Sequence, residues 1–452
     1  MNKRTLWLGM AVALLLARPA AAVDVRISSE TLYHGYRLIT TSGDHLNRNR
    51  INQYLGLDVL DLMGNGLNTI SFVSSFRFDT DFSVTDAERD ANPLLKNNQF
   101  SFQYAYFNFR SIGGFFDLRV GRQLLIDDMD FTLFDGGRFG FHLPYHIGLE
   151  VYAGLEVKNA GTVENYVNAT QFEVDGDGGQ KADTTRGLVL GGAIEIEGLR
   201  DHHGKLGYRR IMTPDSNAYV DAERLFVNYD YRILPQLHIG TAVAFDFVAM
   251  DVSEARAWIR APGIGKLVDL EASYWRLLPV FEGSSIFNLF TLEALNDIDL
   301  RARFHITDWA SAYLGGYLRL FGNEKNSQDT VDTDLVKDYG IKAGGRVRFG
   351  TRGRLGLDVT WQRGYGDMAI VDVDGGYSFL NQTLDVHGRL TTVYFADAVR
   401  DSLRGTSFGV QAGISYRIQQ KAKFHVIGEL NTNRIEKVQA RIYALVDLDF
   451  WL

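Results

Sequence analysis

The sequence predicts an all-β fold, a transmembrane antiparallel up-and-down β-barrel of about 18 strands, with a count from 16 to 20 also compatible. Three observations predict it. Alternation of apolar and polar residues recurs along most of the chain, and the chain ends in such a segment. Beyond the first 22 residues, no apolar run approaches the ~20 residues that a spanning helix requires, so any membrane span must consist of strands.

The first 22 residues have the pattern of a secretory signal peptide. Two basic residues at positions 3 and 4 precede an apolar run over residues 6–16 and a small-residue stretch that ends at Ala22. The apolar run is too short to span a bilayer, and small residues suit a signal peptidase site. We therefore expect cleavage after Ala22, which leaves residues 23–452 as a single transmembrane β-barrel domain.

The last twelve residues predict a closing transmembrane strand. Successive side chains of a strand point to opposite faces, so the two parities can be read separately. The polar parity includes Arg441, Asp447 and Asp449. The other parity is wholly apolar and ends with large side chains, as the lipid-facing side of a last barrel strand does: Ile442, Ala444, Val446, Leu448, Phe450 and Leu452.

The same alternation recurs upstream. Residues 224–233 and 237–247 alternate on either side of a short link and predict a hairpin, and residues 298–306, 354–362 and 407–417 alternate as well. Alternation alone also fits a soluble sandwich. Aromatic residues at segment ends favour a membrane barrel, because Tyr, Trp and Phe form girdles at lipid interfaces.

Connections of two lengths are a further barrel signature, with short turns at one rim and long loops at the other. The short candidates are residues 64–66, 111–114, 262–265 and 351–353. The long polar candidates are residues 80–98, 159–184, 322–337 and 365–376.

Composition excludes several classes of protein. The chain has no Cys, so it forms no disulfide and carries no lipoprotein anchor. Its net charge of -8 argues against a nucleic-acid partner, which needs a clustered basic surface. We expect no metal and no cofactor.

The polar parity is predicted to line the interior, which should be hydrated because a barrel of this size is wider than side chains can fill. The charges there either pair across strands as structural networks or select ions. The predicted pore-lining residues are Arg119, Arg232, Arg301, Arg303, Arg319, Lys342, Arg346, Arg348, Glu150, Glu156, Asp269 and Glu271.

Basic residues concentrate between Arg301 and Arg354 and predict one positive wall. Because an Arg fork suits carboxylate, sulfate or phosphate groups, such a wall favours a bound or passing anion. Acidic residues elsewhere, including Glu150 and Asp269, lead us to expect a transverse field across the lumen.

A run from Leu124 to His146 breaks the alternation. We consider two interpretations, a loop that folds inward as a constriction and an ordinary external loop with an acidic rim. The constriction candidates are Asp127, Asp128, Asp130, Asp135 and Arg138.

Two short blocks carry a family resemblance. Arg119-Val120-Gly121-Arg122-Gln123 and Phe134-Asp135-Gly136-Gly137-Arg138 resemble the Gly-Arg-Gln strand end and later Asp-Gly element of outer-membrane porins and of alginate-export-type barrels. The motifs cover about 20 of about 430 mature residues. The resemblance implies a channel for an anionic or polar polysaccharide with an Arg-rich interior.

Other motifs have simpler interpretations. Residues 405–409 match a nucleophile elbow, but they open an alternating strand, so Ser407 is expected to be a small lumen-facing residue. Residues 175–179 and 372–376 lack the full ligand pattern of a calcium loop and are interpreted as solvated turns. We therefore predict no catalytic residue and no enzyme.

Together these features predict a water-filled channel in the outer membrane of a Gram-negative cell, in contact with outer-membrane lipid. The leading hypothesis is a conduit for polysaccharide export that works with periplasmic export components. The alternative is a passive diffusion porin for small hydrophilic or anionic solutes, commonly a homo-oligomer. An outer-membrane enzyme or an adhesin that uses the long loops is the third hypothesis.

Overall fold

The computed structural model describes residues 23–452, except 40–44, 64–68, 87–97, 128–130, 158–171, 175–179, 183–186, 197, 213–219, 266, 279–293, 322–336, 365, 398–403, 420 and 435–436. The described chain forms an all-β, antiparallel, closed barrel of 22 strands. The prediction of about 18 strands, or 16 to 20, is therefore wrong. The predicted signal peptide lies outside the described residues.

Strands are numbered along the chain, and all except β8 and β9 belong to the barrel. The first twelve are β1 (Asp24–Ile39), β2 (His45–Leu60), β3 (Ile70–Asp81), β4 (Asn98–Ile112), β5 (Phe116–Ile126), β6 (Phe131–Leu143), β7 (Ile147–Glu156), β8 (Phe172–Val174), β9 (Gln180–Ala182), β10 (Leu188–Ile196), β11 (His202–Met212) and β12 (Val220–Leu234). The others are β13 (Leu237–Asp246), β14 (Asp251–Ile264), β15 (Val268–Leu277), β16 (Leu295–Thr307), β17 (Ala310–Phe321), β18 (Lys337–Phe349), β19 (Gly353–Arg363), β20 (Gly366–Phe379), β21 (Leu384–Asp397), β22 (Gly405–Ile418), β23 (Ala422–Thr432) and β24 (Gln439–Trp451).

The barrel closes between its first and last strands. β24 pairs with β1 in antiparallel register, with Arg26 opposite Trp451 and Tyr36 opposite Arg441. Arg26 also donates to the Asp449 carboxylate, with an Nη2 to Oδ2 distance of 2.8 Å. The C-terminal alternation therefore marks the closing strand, as the sequence predicts.

Two stretches that read as loops in the sequence are barrel strands. Residues 131–143, within the supposed constriction or external loop, form β6. Residues 366–376, nearly all of a predicted long loop, lie in β20. Their Asp and Gly residues obscure the alternation. In β20, Asp372, Asp374 and Gly376 face a hydrated lumen and are compatible with a strand, and in β6 the outward Asp135 binds Arg122. Because neither strand shows clear alternation, the sequence underestimates the strand count.

Large apolar side chains cover the outward face. Leu300 is 57% exposed, Leu314 55% and Ile341 53%, on three consecutive strands. A closed barrel leaves no unpaired strand edge, so a surface of this kind meets the requirements of a lipid bilayer. Among the described residues, no helix is both long enough and apolar enough to cross a membrane.

The two rims differ in their connections. The end at which β1 begins and β24 ends, here called the turn end, has short links such as residues 113–115, 235–236 and 350–352. The opposite end, the loop end, has the longer ones, including 82–97, 157–187 and 322–336. This agrees with the predicted two lengths, except that residues 365–376 are not a loop.

Contacts that skip a strand identify the concave face. The Tyr313 hydroxyl donates to Asp358 at 2.5 Å, across the intervening β18. Gly344 of β18 lies beneath this bond, and a Cβ there would be 2.5 Å from both the Tyr313 ring and the Asp358 carboxylate. Side chains converge in this way on the inside of a curved sheet, so the polar parity faces the lumen.

With strands about 4.8 Å apart and tilted by about 40°, opposite walls of a 22-stranded barrel are on the order of 40 Å apart.

Candidate functional site

A basic cleft lies on the lumen side of β16 to β21, toward the turn end. Its walls are formed by residues that are in register across neighbouring strands, in two adjacent rows. One row aligns His305, Ser311 and Arg346, and the next aligns Arg348 with Arg354. The cleft has a volume of about 860 Å³. Its basic residues are Arg301, Arg303, His305, Arg346, Arg348, Arg354, His387 and Arg389.

Five of these arginines lack an acidic partner. In the part of the chain that the structure describes, no carboxylate lies within 4.0 Å of the guanidinium group of any of them, namely Arg301, Arg303, Arg346, Arg348 and Arg354. The Arg301 Nε is also buried without a hydrogen-bond partner. Because a buried donor without an acceptor is costly, this group is available to an anion or to water. Arg301 contacts the Tyr313 ring instead, with 5.8 Å between Cζ and the ring centroid.

Arg348 and Arg354 lie directly opposite each other on neighbouring strands. Like charges in such a cross-strand pair are destabilising. The Arg348 Nη2 donates to the backbone carbonyl of Asp308 at 2.5 Å, which satisfies one donor but neutralises neither charge. An anion between the two strands would relieve the repulsion.

Two carboxylates of the cleft are engaged by other partners. Asp358 accepts from Tyr313, and Asp372 receives two hydrogen bonds from the Arg389 Nε, each 2.8 Å long. The cleft keeps an excess of positive charge, because its lining has six arginines and four carboxylates, Asp308, Asp358, Asp372 and Asp374.

Toward the loop end, the basic residues of the same wall are paired with acids. There the Arg319 Nε donates to Asp297 at 2.8 Å, and the Lys342 Nζ lies 2.9 Å from the Asp299 carboxylate. Both interpretations of the basic residues thus apply, to different halves of the wall. Arg319 and Lys342 belong to paired networks, whereas Arg301, Arg303 and Arg346 do not.

Two of the acids named for the expected transverse field, Asp269 and Glu271, are not across the lumen from the basic residues, whereas Glu150 is. Asp269 and Glu271 lie on β15, directly opposite Arg303 and Arg301 in register, and so belong to the same wall. Asp269 contacts the His305 ring at 2.8 Å. Glu271 accepts from Arg260 at 2.9 Å.

A smaller cleft of about 420 Å³ lies on the other side of the lumen. It includes Arg119, Arg138 and Glu150, and Arg119 stands directly opposite Arg138 in register. Arg138 pairs with Glu150, whereas the buried Arg119 Nε has no hydrogen-bond partner and its guanidinium lies 4.6 Å from the Tyr106 ring centroid. β5 and β18 are eleven positions apart in the 22-stranded ring, so the two clefts face each other.

The remaining predicted pore-lining residues do not join either cleft. Arg232 lies on the inward parity of β12 near the turn end, and Glu156 ends β7 near the loop end. All twelve predicted residues share the inward parity.

The described part of the predicted constriction loop is not a loop. Asp135 and Arg138 lie in β6, and Asp135 is on the outward parity, where it binds Arg122 through two hydrogen bonds of 2.7 and 2.8 Å. Asp127, at the end of β5, lies 3.6 Å from Arg209, and both side chains are nearly buried. Asp128 and Asp130 lie outside the described residues.

Sequence reasoning missed Arg389 and His387 because it did not recognise β20. Asp374 and Gly376 of that strand are the register partners of Arg389 and His387, so the cross-strand arrangement could not be seen. An i, i+2 pattern of Asp372, Asp374 and Gly376 was the available signal for a lumen-facing strand.

The two supposed calcium motifs have different outcomes. Residues 372–376 are part of β20 and not a turn, whereas 175–179 lie outside the described residues. Within the described ranges, no group of three or more potential ligands could hold a metal ion. Ser407 lies in β22 opposite Val393.

Comparison with solved structures finds barrels of similar extent. OccAB4 of Acinetobacter baumannii is 10% identical, with 96% of this chain and 99% of that chain covered and a TM-score of 0.43. OpdK of Pseudomonas aeruginosa, solved with vanillate, is 9% identical (95% and 99% covered, TM-score 0.44), and a BenF-like porin of Pseudomonas fluorescens Pf-5 has the same values. No family model matches the chain, and no curated protein matches it. At these identities and TM-scores, the likeness assigns no function.

Proposed function

We propose that this protein is an outer-membrane channel through which small anionic solutes diffuse, with the basic cleft as the site that attracts them. The observation that carries the proposal is a group of arginines on one wall of the lumen that have no carboxylate partner among the described residues: Arg301, Arg303, Arg346, Arg348 and Arg354. Guanidinium groups without carboxylate partners bind carboxylate or phosphate oxygens well.

Two further features support a small solute. The cleft volume of about 860 Å³ falls within the range of small-molecule sites, about 300–1,000 Å³. The lumen itself is wide enough for water, since the side chains of a 22-stranded barrel cannot fill it. Anions would therefore be concentrated along one wall of an aqueous path and released without a conformational change.

Polysaccharide export is the second candidate, and it rests on the motif resemblance. A polymer that crosses the barrel needs contacts along the whole axis. The unpaired arginines instead concentrate toward the turn end, and the Arg319–Asp297 and Lys342–Asp299 pairs occupy the loop-end half. We therefore prefer diffusion of small solutes. Periplasmic partners and a homo-oligomeric state stay predictions.

Uptake into liposomes tests the proposal. Protein-containing liposomes are placed in isotonic succinate or in succinamide, which has the same size and no charge. We expect faster swelling in succinate, and equal or slower swelling in succinate would contradict the proposal. Loss of a surface polysaccharide on deletion of the gene would instead favour export.

A further inference from the structure

The outward face carries charge at one end of the barrel only. In the barrel strands that the structure describes, every charged side chain on the lipid-facing parity lies in the half next to the loop end. Six are basic and three acidic: Arg37, Arg122, Arg210, Arg276, Lys337, Arg363, Asp135, Glu223 and Asp367. A charge on a lipid-facing strand is most costly at the bilayer midplane and nearly free at the interface, so these residues mark an interface.

The charges are not evenly paired around the rim. On β5 to β15 each arginine has an acid close by, such as Arg122 with Asp135 and Arg276 with Asp251 at 3.0 Å. From β18 through β24 to β1 the balance changes. Among the described residues, no carboxylate lies within 4.0 Å of Lys337 or Arg37, and the ion pair of Arg363 with Asp367 is a long one, at 4.0 Å.

Arg404 extends this basic stretch, which we call the rim arc (Arg37, Lys337, Arg363 and Arg404). It precedes β22, and its guanidinium group lies 5.9 Å from the ring centroid of Tyr394, which is on the lipid-facing parity. The Arg404 Nε also donates to the Tyr394 hydroxyl at 2.9 Å. A Tyr at this depth has the position of an interfacial aromatic residue, which places Arg404 at headgroup level.

We propose that the rim arc binds the phosphate groups of a membrane lipid in the leaflet that surrounds the loop end. Lys337 and Arg363 are on adjacent strands, and Arg363 is opposite Tyr339, two residues from Lys337. Both cations can therefore reach one phosphate. Cations at a membrane surface attract anionic headgroups, and Arg binds phosphate through paired hydrogen bonds.

Native mass spectrometry of the detergent-purified barrel tests the proposal, with bis-phosphorylated lipid A as the probe. We compare wild type with Arg37→Gln/Lys337→Gln/Arg363→Gln. The affinity for a lipid A molecule is expected to fall by about fivefold for each cation removed from beside it, so the largest loss is expected where Lys337 and Arg363 share a phosphate. The matched control is Arg48→Gln/Arg319→Gln/Arg441→Gln, which removes three cations of the same rim half on the inward parity and should leave lipid binding unchanged.

Three results would overturn the proposal: equal binding by the rim-arc variant, equal binding of dephosphorylated lipid A by wild type, or an equal loss in the control variant. Displacement of lipid A by an equimolar amount of inorganic phosphate would also overturn it, because the site would then recognise free phosphate. Heat-modifiable migration on a gel establishes that each variant is folded before binding is measured.

Discussion

Removing two unpaired arginines from the basic cleft should weaken anion binding by about tenfold. Arg303 and Arg346 line the same cleft on β16 and β18, and neither has a carboxylate within 4.0 Å among the described residues. A guanidinium group about 4 Å from a carboxylate contributes about 1 kcal/mol in a high-dielectric lumen. Screening at 0.1 M salt reduces this to about 0.7 kcal/mol. Arg303→Gln/Arg346→Gln should therefore cost about 1.4 kcal/mol, which corresponds to a tenfold change in affinity.

The assay is block of the single-channel current by succinate in a planar bilayer. The half-blocking concentration should rise about tenfold in the double variant. The control is Lys342→Gln/Asp299→Asn, which removes a paired cation together with its acid and leaves the net charge unchanged. A change of less than twofold in the arginine variant, or an equal change in the control, would refute the reasoning.

Other predictions concern selectivity and packing. Replacing Arg301, Arg303, Arg346 and Arg348 with Ser should move the reversal potential in a salt gradient toward cation selectivity; an unchanged potential would mean that these residues do not face the conducting path. Gly344→Val should destabilise the barrel by about 1–3 kcal/mol, because a Cβ there meets Tyr313, Asp358 and the Leu357 carbonyl oxygen at 2.5 to 2.7 Å. Urea unfolding in vesicles measures this, and Gly428→Ala, with no atom within 4 Å of the new Cβ, should be nearly neutral. Arg122→Ala should be more destabilising than Arg122→Ala/Asp135→Ala, since the single variant leaves a lipid-side carboxylate without its arginine; equal losses would show that the two side chains are not coupled.

Much of the fold could be predicted from alternation, because a strand with one face toward lipid and one toward water has a period of two. The closing strand at residues 439–451 and the hairpin of β12 and β13 are examples. The strand count could not be predicted in the same way. β20 carries Asp and Gly on the polar parity, and β6 contains the run Asp135-Gly136-Gly137, a composition that indicates turns in a soluble protein.

The sequence predicts which residues of the candidate site face the lumen, but not which basic residues form ion pairs with which acids. The parity of Arg301, Arg303, Arg319 and Lys342 follows from the alternation of β16 to β18, but their partners depend on register between strands. Only the register shows that Asp297 and Asp299 neutralise the loop-end half and leave the turn-end half basic. The position of the acids on β15, beside the basic residues and not across the lumen, has the same origin.

The most direct test of the central claim is the reversal potential of wild-type channels across a tenfold KCl gradient in a planar bilayer. The unpaired arginines predict stable conductance steps and a potential whose sign indicates preference for chloride. Cation preference, or folded barrels that never conduct, would contradict the proposed anion channel.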